Sequence, residues 1–171
     1  QEIDINDIIT FITDYKPNWI RSTPSNLYYF CKKAEPLISP NIFDSIEFIE
    51  LSGETLEEYQ VITFKKIFNC FIGNHYGCRE VWPIACECES GSLHVFEDHV
   101  YCEIVNKDKY THNMGELCIT ALNQYSFPYI RYNTGDIVSL DNVDCKCGRS
   151  GLVIKSLYGR KSDYINIDGK Y

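Results

Sequence analysis

Near Pro83 the hydrophobic pattern of the chain changes period, and few architectures accommodate both halves. Before that point, helical stripes alternate with short apolar runs. Ile5, Ile8, Ile9 and Ile12 recur at the i, i+3, i+4, i+7 spacing that puts side chains on one helix face. Tyr15-Lys16-Pro17 ends the stripe, because a proline neither donates to a helix nor lets its predecessor stay helical. Trp19-Ile20-Arg21 predicts a short strand. Thr23-Pro24 reads as N-cap and first helical residue for the stripe Leu27, Phe30, Cys31, Ala34, which Pro36 closes. Ile46 to Leu51 predicts a strand stopping at Ser52-Gly53. A helix with Val61, Phe64 and Phe68 on one face follows, then a second apolar strand over 67–72. Such alternation predicts a parallel α/β layer, with ligands beyond the carboxyl ends of its strands. Ser52-Gly53-Glu54 and Asn74-His75-Tyr76-Gly77 fall there.

Beyond Pro83 the runs are short and β-type: Leu93 to Val95, Val100 to Val105, Glu116 to Leu122, Tyr129 to Tyr132 and Ile137 to Leu140. Polar turns separate them. Leu117, Ile119 and Ala121 alternate with Glu116, Cys118 and Thr120, the pattern of a half-buried strand. The fold class expected is therefore α/β: a parallel-sheet α/β layer over 1–82, then an antiparallel β subdomain or distorted barrel over 83–157. The remainder, 158–171, is a separate tail.

Composition removes several function classes. A net charge of −8 with no basic run disfavours nucleic acid as a partner. No apolar run approaches the roughly 20 residues that cross a bilayer as a helix. The start, Gln1-Glu2-Ile3-Asp4, has neither a basic segment nor an apolar core, so a cytoplasmic setting is expected, and its lack of Met fits a piece of a longer protein. Nine cysteines, an odd number, argue against a disulfide framework. Cys31, Cys70, Cys102 and Cys118 sit in apolar runs and read as small buried hydrophobes.

The two Cys-x-Cys pairs read differently. Cys145-Lys146-Cys147-Gly148 is a tight knuckle, and Cys88 and His94 flank the polar turn Glu89-Ser90-Gly91. Two ligand pairs from separate segments can close a tetrahedral Cys₃His zinc shell. Cys86 in place of His94 would make it Cys₄. Either shell lacks an open position and would staple loops without doing chemistry.

Three polar sets lie at the ends of ordered segments: Tyr76-Gly77-Cys78-Arg79-Glu80, Arg131-Tyr132-Asn133-Thr134-Gly135-Asp136 and Gly159-Arg160-Lys161-Ser162-Asp163. A carboxylate such as Asp136 can accept from both hydroxyls of a ribose, one such as Glu80 can ligate Mg²⁺ on a phosphate, and an arginine can pair with phosphate. In this order, with Ser52-Gly53-Glu54, Glu87-Cys88, Leu93-His94, Gly115-Glu116-Leu117, Pro128-Tyr129-Ile130-Arg131-Tyr132 and Cys145-x-Cys147-Gly148-Arg149, the chain resembles the adenylate-forming (AMP-binding) enzymes. The branch is that of the phenylacetate–coenzyme A ligases and their capsular polysaccharide biosynthesis relatives.

The resemblance implies a ligase that converts a carboxylate and ATP to acyl-AMP and pyrophosphate, then passes the acyl group to coenzyme A or another acceptor. It implies that Ser52, Gly53 and Glu54 border the adenine and acyl pocket. Tyr76 would stack on the adenine beside Gly77, Glu80 would hold magnesium at the α-phosphate, and Asp136 would bind the ribose. Arg160 would contact the nucleotide, and 158–171 would hold the hinge and the start of a further C-terminal domain. It favours Cys88, His94, Cys145 and Cys147 as the zinc shell, and a homodimer is compatible with it. Two positions depart from the family: Arg79 replaces its usual Thr, where an arginine can pair with a phosphate or with the acid, and Ser162 replaces an acidic hinge residue. These departures keep a second reading open, a non-enzymatic zinc-stapled scaffold or interaction domain derived from such an enzyme. The 171 residues contain no Gly/Ser/Thr-rich phosphate loop and stop before the family's catalytic lysine, so a fragment of the large domain, inactive alone, is expected.

Overall fold

The computed structural model describes residues 4–39, 41–110 and 114–163. The chain divides into two compact units, 1–74 and 75–171, so the change of period at Pro83 falls inside the second.

In the first unit three helices accompany parallel strands. Helix α1 (Ile5–Tyr15) starts at Asp4, whose carboxylate accepts from the Asn6 amide, and ends at Lys16 in the left-handed region. Strand β1 (Trp19–Ser22) leads into Thr23, which caps helix α2 (Pro24–Ala34). Strand β2 (Phe48–Ser52) runs parallel to β1, with Trp19 opposite Phe48 and Ser22 opposite Leu51. Helix α3 (Glu58–Ile67) opens on a capping box between Glu57 and Gln60. The core gathers the predicted stripes: Ile12, Leu27, Phe30, Cys31, Ala34, Ile49, Leu51, Phe64 and Phe68 are all buried.

One strand lies later than its sequence suggests. The run 67–72 is apolar except for Asn69, yet Ile67 ends α3 and the Phe68 amide still donates to the Phe64 carbonyl. Phe64 and Phe68 reach the same core, and Phe68 caps the helix with extended backbone (φ −111°, ψ 127°), so the chain leaves the helix there and β3 starts later. Strand β3 is Phe71–Tyr76, so Asn74, His75 and Tyr76 belong to the strand rather than to a loop after it.

The second unit is antiparallel. After the last two residues of β3 come β4 (Ala85–Glu87), β5 (Leu93–Val95), β6 (Val100–Val105), β7 (Gly115–Ala121), β8 (Tyr132–Asp144) and β9 (Ser150–Arg160). Their lateral order is β4-β5-β9-β8-β7-β6. The segments 129–132 and 137–140 do not make two strands. Arg131 adopts a left-handed φ of 52°, and one long strand starts at Tyr132. Strand β7 is buried on both faces rather than one. Leu117, Ile119 and Ala121 enter the main core, while on the other face Glu116 is 1% exposed and bonded to Tyr110, which packs with Met114 and Ile137. Cys31, Cys102 and Cys118 are buried, and burial pushes the Cys31 and Cys102 thiols up to about 12.

Gly77 has a packing role. A Cβ there would lie 2.2 Å from the Trp82 ring. We expect Gly77→Ala to destabilise the second unit by about 1–3 kcal/mol, the usual cost of overpacking, as a lower urea midpoint at unchanged slope.

Candidate functional site

Two clusters of side chains form in the second unit. The first is built from two glycine-closed turns. In one, the Gly91 amide donates to the Cys88 carbonyl at 2.8 Å, with Gly91 at φ 79°. In the other, the Gly148 amide donates to the Cys145 carbonyl at 3.0 Å, with Gly148 at φ 88°. Both φ values are costly for residues with a Cβ. The turns meet because β5 pairs with β9, His94 opposite Val153, while Cys145–Arg149 forms the tip of the β8–β9 hairpin.

The donor atoms of Cys88, His94, Cys145 and Cys147 all lie within 4.8 Å of one another. Cys88 Sγ is 3.8 Å from Cys145 Sγ, and Cys147 Sγ is 3.5 Å from His94 Nε2. A tetrahedral ion with metal–sulfur bonds of about 2.3 Å requires S···S edges of about 3.8 Å and slightly shorter S···N edges. The donor set, soft thiolates with one imidazole, suits zinc. The Cys147 backbone N–H, with help from Ser92, lowers the pKa of the Cys145 thiol, whereas that of Cys147, despite the Arg149 backbone N–H, is raised by burial and by the Cys145 sulfur. Cys86 is outside this group; its Sγ lies 3.6 Å from the Glu87 carbonyl.

The second cluster is polar. Tyr76, at the end of β3, donates its hydroxyl to Asp136 Oδ2 at 2.5 Å. Arg160, at the end of β9, lies directly opposite Asp136, with Nε 3.4 Å from Oδ1. Asp136 is buried, whereas the Arg160 side chain is 64% exposed. Glu80 accepts from the Tyr132 hydroxyl at 2.9 Å, and its backbone carbonyl accepts from Gln124 Nε2 at 2.9 Å. Its own backbone N–H, with Tyr132, holds the Glu80 carboxyl below the usual range. Tyr132 continues an edge-on aromatic series through Tyr129 to Phe127.

Other sequence-derived positions have different surroundings. Tyr76 is 8% exposed and packs in the core, and burial beside Asp136 raises its phenol. What it offers is a hydroxyl that orients Asp136, with little free ring surface. In the first unit, Ser52 is buried and Gly53 turns with φ 87°. Glu54 accepts from the Ser25 backbone amide at 2.9 Å and hydroxyl at 2.7 Å, so it neutralises the start of α2. Arg79 is exposed on the loop after β3. Residues 158–160, expected in the tail, instead end β9; Ser162 lies in the 3₁₀ turn Lys161–Asp163, and the tail from residue 164 falls outside the described residues.

Sequence reasoning passed over Glu116, Gln124 and Tyr132 as individual site residues, though Gly115-Glu116-Leu117 and Arg131-Tyr132 both stood among the motifs. A buried carboxylate with three donors has no periodic signature. Burial drives the Glu116 carboxyl upward, but hydrogen bonds from Asn133, Lys161 and Tyr110 outweigh it and hold the pKa at about 2.

The chain has relatives along most of its length. It is 29% identical over 174 residues to the phenylacetate–coenzyme A ligase of Thermus thermophilus, covering 94% of this chain and 38% of that one. It is 28% identical over 115 residues to the protein CapK of Staphylococcus aureus, covering 67% of this chain and 25% of that one. The chain thus spans well under half the length of either. No protein-family model matches it. Its fold is that of solved acyl–coenzyme A ligases. The open form of 2-hydroxyisobutyryl-CoA ligase, in complex with 2-HIB-AMP and CoA, superposes with a TM-score of 0.81 at 20% identity, over 96% of this chain and 41% of that one. The anthranilate CoA ligase AuaEII, in complex with anthranoyl-AMP, gives 0.67 at 14% identity, over 96% and 34%.

The depressed pKa of Glu116 has a thermodynamic consequence. The ionised form is favoured by folding, so its contribution is fully present above about pH 4.5 and lost as the pH falls towards about 2. The expected contribution is on the order of 3 kcal/mol. Glu116→Gln should flatten the decline of stability between those pH values, followed by urea denaturation at a series of pH values.

Proposed function

We propose that this chain forms part of the large domain of an acyl-adenylate-forming ligase, and that the polar cluster of its second unit is the nucleotide site. The whole protein would join a carboxylate to the α-phosphate of ATP, release pyrophosphate, and transfer the acyl group to coenzyme A. The observation that carries this reading is the Asp136–Arg160 pair with Tyr76 behind it and Glu80–Tyr132 in the same unit. Asp136, buried and anchored through one oxygen by Tyr76, is oriented to accept from ribose hydroxyls. Arg160, largely exposed, is free to turn from Asp136 to a phosphate oxygen. Glu80 is a hard oxygen donor of the kind magnesium takes, and Tyr132 fixes its orientation. Bound there, magnesium would neutralise charge developing on the α-phosphate. Arg79 would meet phosphate or the carboxylate substrate from solvent.

The four-donor cluster is proposed as a structural zinc centre. The spacing of its donors supports this assignment, and a closed Cys₃His shell has no coordination position left for chemistry. Three cysteines committed to zinc and six more outside any disulfide fit the proposed reducing, cytoplasmic setting.

Two measurements check these assignments. Protein purified without added metal should carry about one equivalent of zinc, as expected of a closed four-ligand site. His94→Ala should lose it and Cys86→Ala should keep it; under a tenth of an equivalent in the unaltered protein would remove the zinc assignment. For the nucleotide, AMP added to the chain should shift the amide resonances around Asp136. Asp136→Ala should weaken that binding at least tenfold, since each charge-assisted bond contributes about 1.5–3 kcal/mol. Unchanged affinity would place the nucleotide elsewhere. The chain by itself is expected to release no pyrophosphate from ATP with any carboxylate.

A further inference from the structure

A three-donor network surrounds Glu116, which makes none of the nucleotide contacts proposed above. One oxygen, Oε1, accepts from Lys161 Nζ and from the Tyr110 hydroxyl, each at 3.0 Å. The other, Oε2, accepts from Asn133 Nδ2 at 2.6 Å. Asn133 passes the constraint on, because its Oδ1 accepts from the Gly135 amide at 2.9 Å. Lys161 directly follows Arg160.

The β ladder is broken where Asp136 sits. Between the pairs Glu116–Ile137 and Cys118–Asn133, strand β8 carries Thr134, Gly135 and Asp136 against the single residue Leu117. On the other side, the β8–β9 register shifts between Ile137 and Val138. Pairing with β7 is therefore missing along Thr134–Asp136, while on the β9 side Asp136 still pairs with Arg160 before the register shifts. Thr134 accounts for part of the deficit: its hydroxyl donates to the Leu117 carbonyl at 3.2 Å and accepts from the Asp136 amide at 3.1 Å. Burying a carboxylate is costly unless its lone pairs are met, and apolar residues would fill the same space at less cost. What a carboxylate adds is two acceptors in fixed relation.

We infer that Glu116 is a positioning residue for the Asp136–Arg160 pair, one oxygen holding the bulge that carries Asp136 and the other holding Lys161 beside Arg160. The inference rests on the reading of Asp136 as the ribose acceptor. It adds that the ribose contact depends on a carboxylate that never touches the nucleotide.

The test compares AMP with 2′,3′-dideoxyadenosine monophosphate, which lacks both ribose hydroxyls, by resonance titration of the whole chain. The unaltered chain should prefer AMP by about tenfold or more, and Asp136→Asn should abolish the preference. Glu116→Gln and Asn133→Ala should each bring the ratio towards one while unfolding stays cooperative. A general loss of stability would weaken both ligands alike and leave the ratio unchanged. Folded Glu116→Gln and Asn133→Ala proteins that keep the wild-type ratio overturn the inference. Should Glu116→Gln not fold, Asn133→Ala decides alone, since it cuts the link to Gly135 while Glu116 keeps Tyr110 and Lys161. If the unaltered chain shows no preference, the ribose reading fails by itself. Positioning is then read from the Asp136 carboxyl titration and the Gly135 amide shift: displacement of both in the two variants supports it, and no displacement in either overturns it.

Discussion

Strands β8 and β9 pair from Asp136–Arg160 at one end to Asp144–Ser150 at the other, and both clusters of the second unit hang on that hairpin. The tip carries Cys145 and Cys147; the open end carries Asp136 and Arg160. Eight residues of extended strand separate Asp136 from Asp144, about 26 Å at the usual rise. The metal-type cluster therefore cannot act directly at the polar one. Its contribution is to fix the tip against β5, through the Cys88 turn and His94. Glu97 assists, accepting from the Leu152 amide at 2.9 Å and standing where a side chain on Gly151 would otherwise be.

The open end is held by chemistry of a different kind. Register shifts interrupt the ladder on both sides of β8, and buried polar groups replace the missing backbone order. Tyr76 and Thr134 serve the Asp136 side, and Glu116 with Asn133 and Lys161 joins the two strands. In a low-dielectric setting such groups are stabilising only when every acceptor is met. The Glu116 carboxylate meets that condition with three donors. The site's rigidity thus derives from hydrogen bonds and its scaffold from apolar burial.

Several single residues turn out to serve the fold as well as, or instead of, the roles their motifs implied. Gly77 makes room for Trp82, although its place beside Tyr76 pointed to a ligand. Glu54 caps α2, a contact that joins residues 29 positions apart and has no local signature. Tyr76 turns its hydroxyl, rather than an open ring face, toward the site. A motif fixes which residue types recur together, while the division of labour among them depends on which atoms the packing leaves exposed.

Local sequence determined the helices of the first unit, since the isoleucine stripe, the Thr23-Pro24 start and the Phe64/Phe68 face are near-neighbour patterns that one helix satisfies alone. It also determined the two metal-type knuckles, because a glycine beside paired ligands forces a tight turn, and the ordered motifs pointed to the ligase fold. Tertiary structure decided where the run 67–72 leaves the helix for the strand, because both states can bury such a run and the packing of Phe64 and Phe68 into one core sets the helix end at Ile67. It merged 132–140 into one long strand and buried both faces of β7, since the Tyr110–Met114–Ile137 cluster covers the face that alternation would leave to solvent. It decided, too, that Cys86 stays outside the four-donor group and that Glu116 is charged and enclosed. Those outcomes depend on residues dozens of positions apart meeting across the sheet, and hydrophobic periodicity carries no record of such meetings.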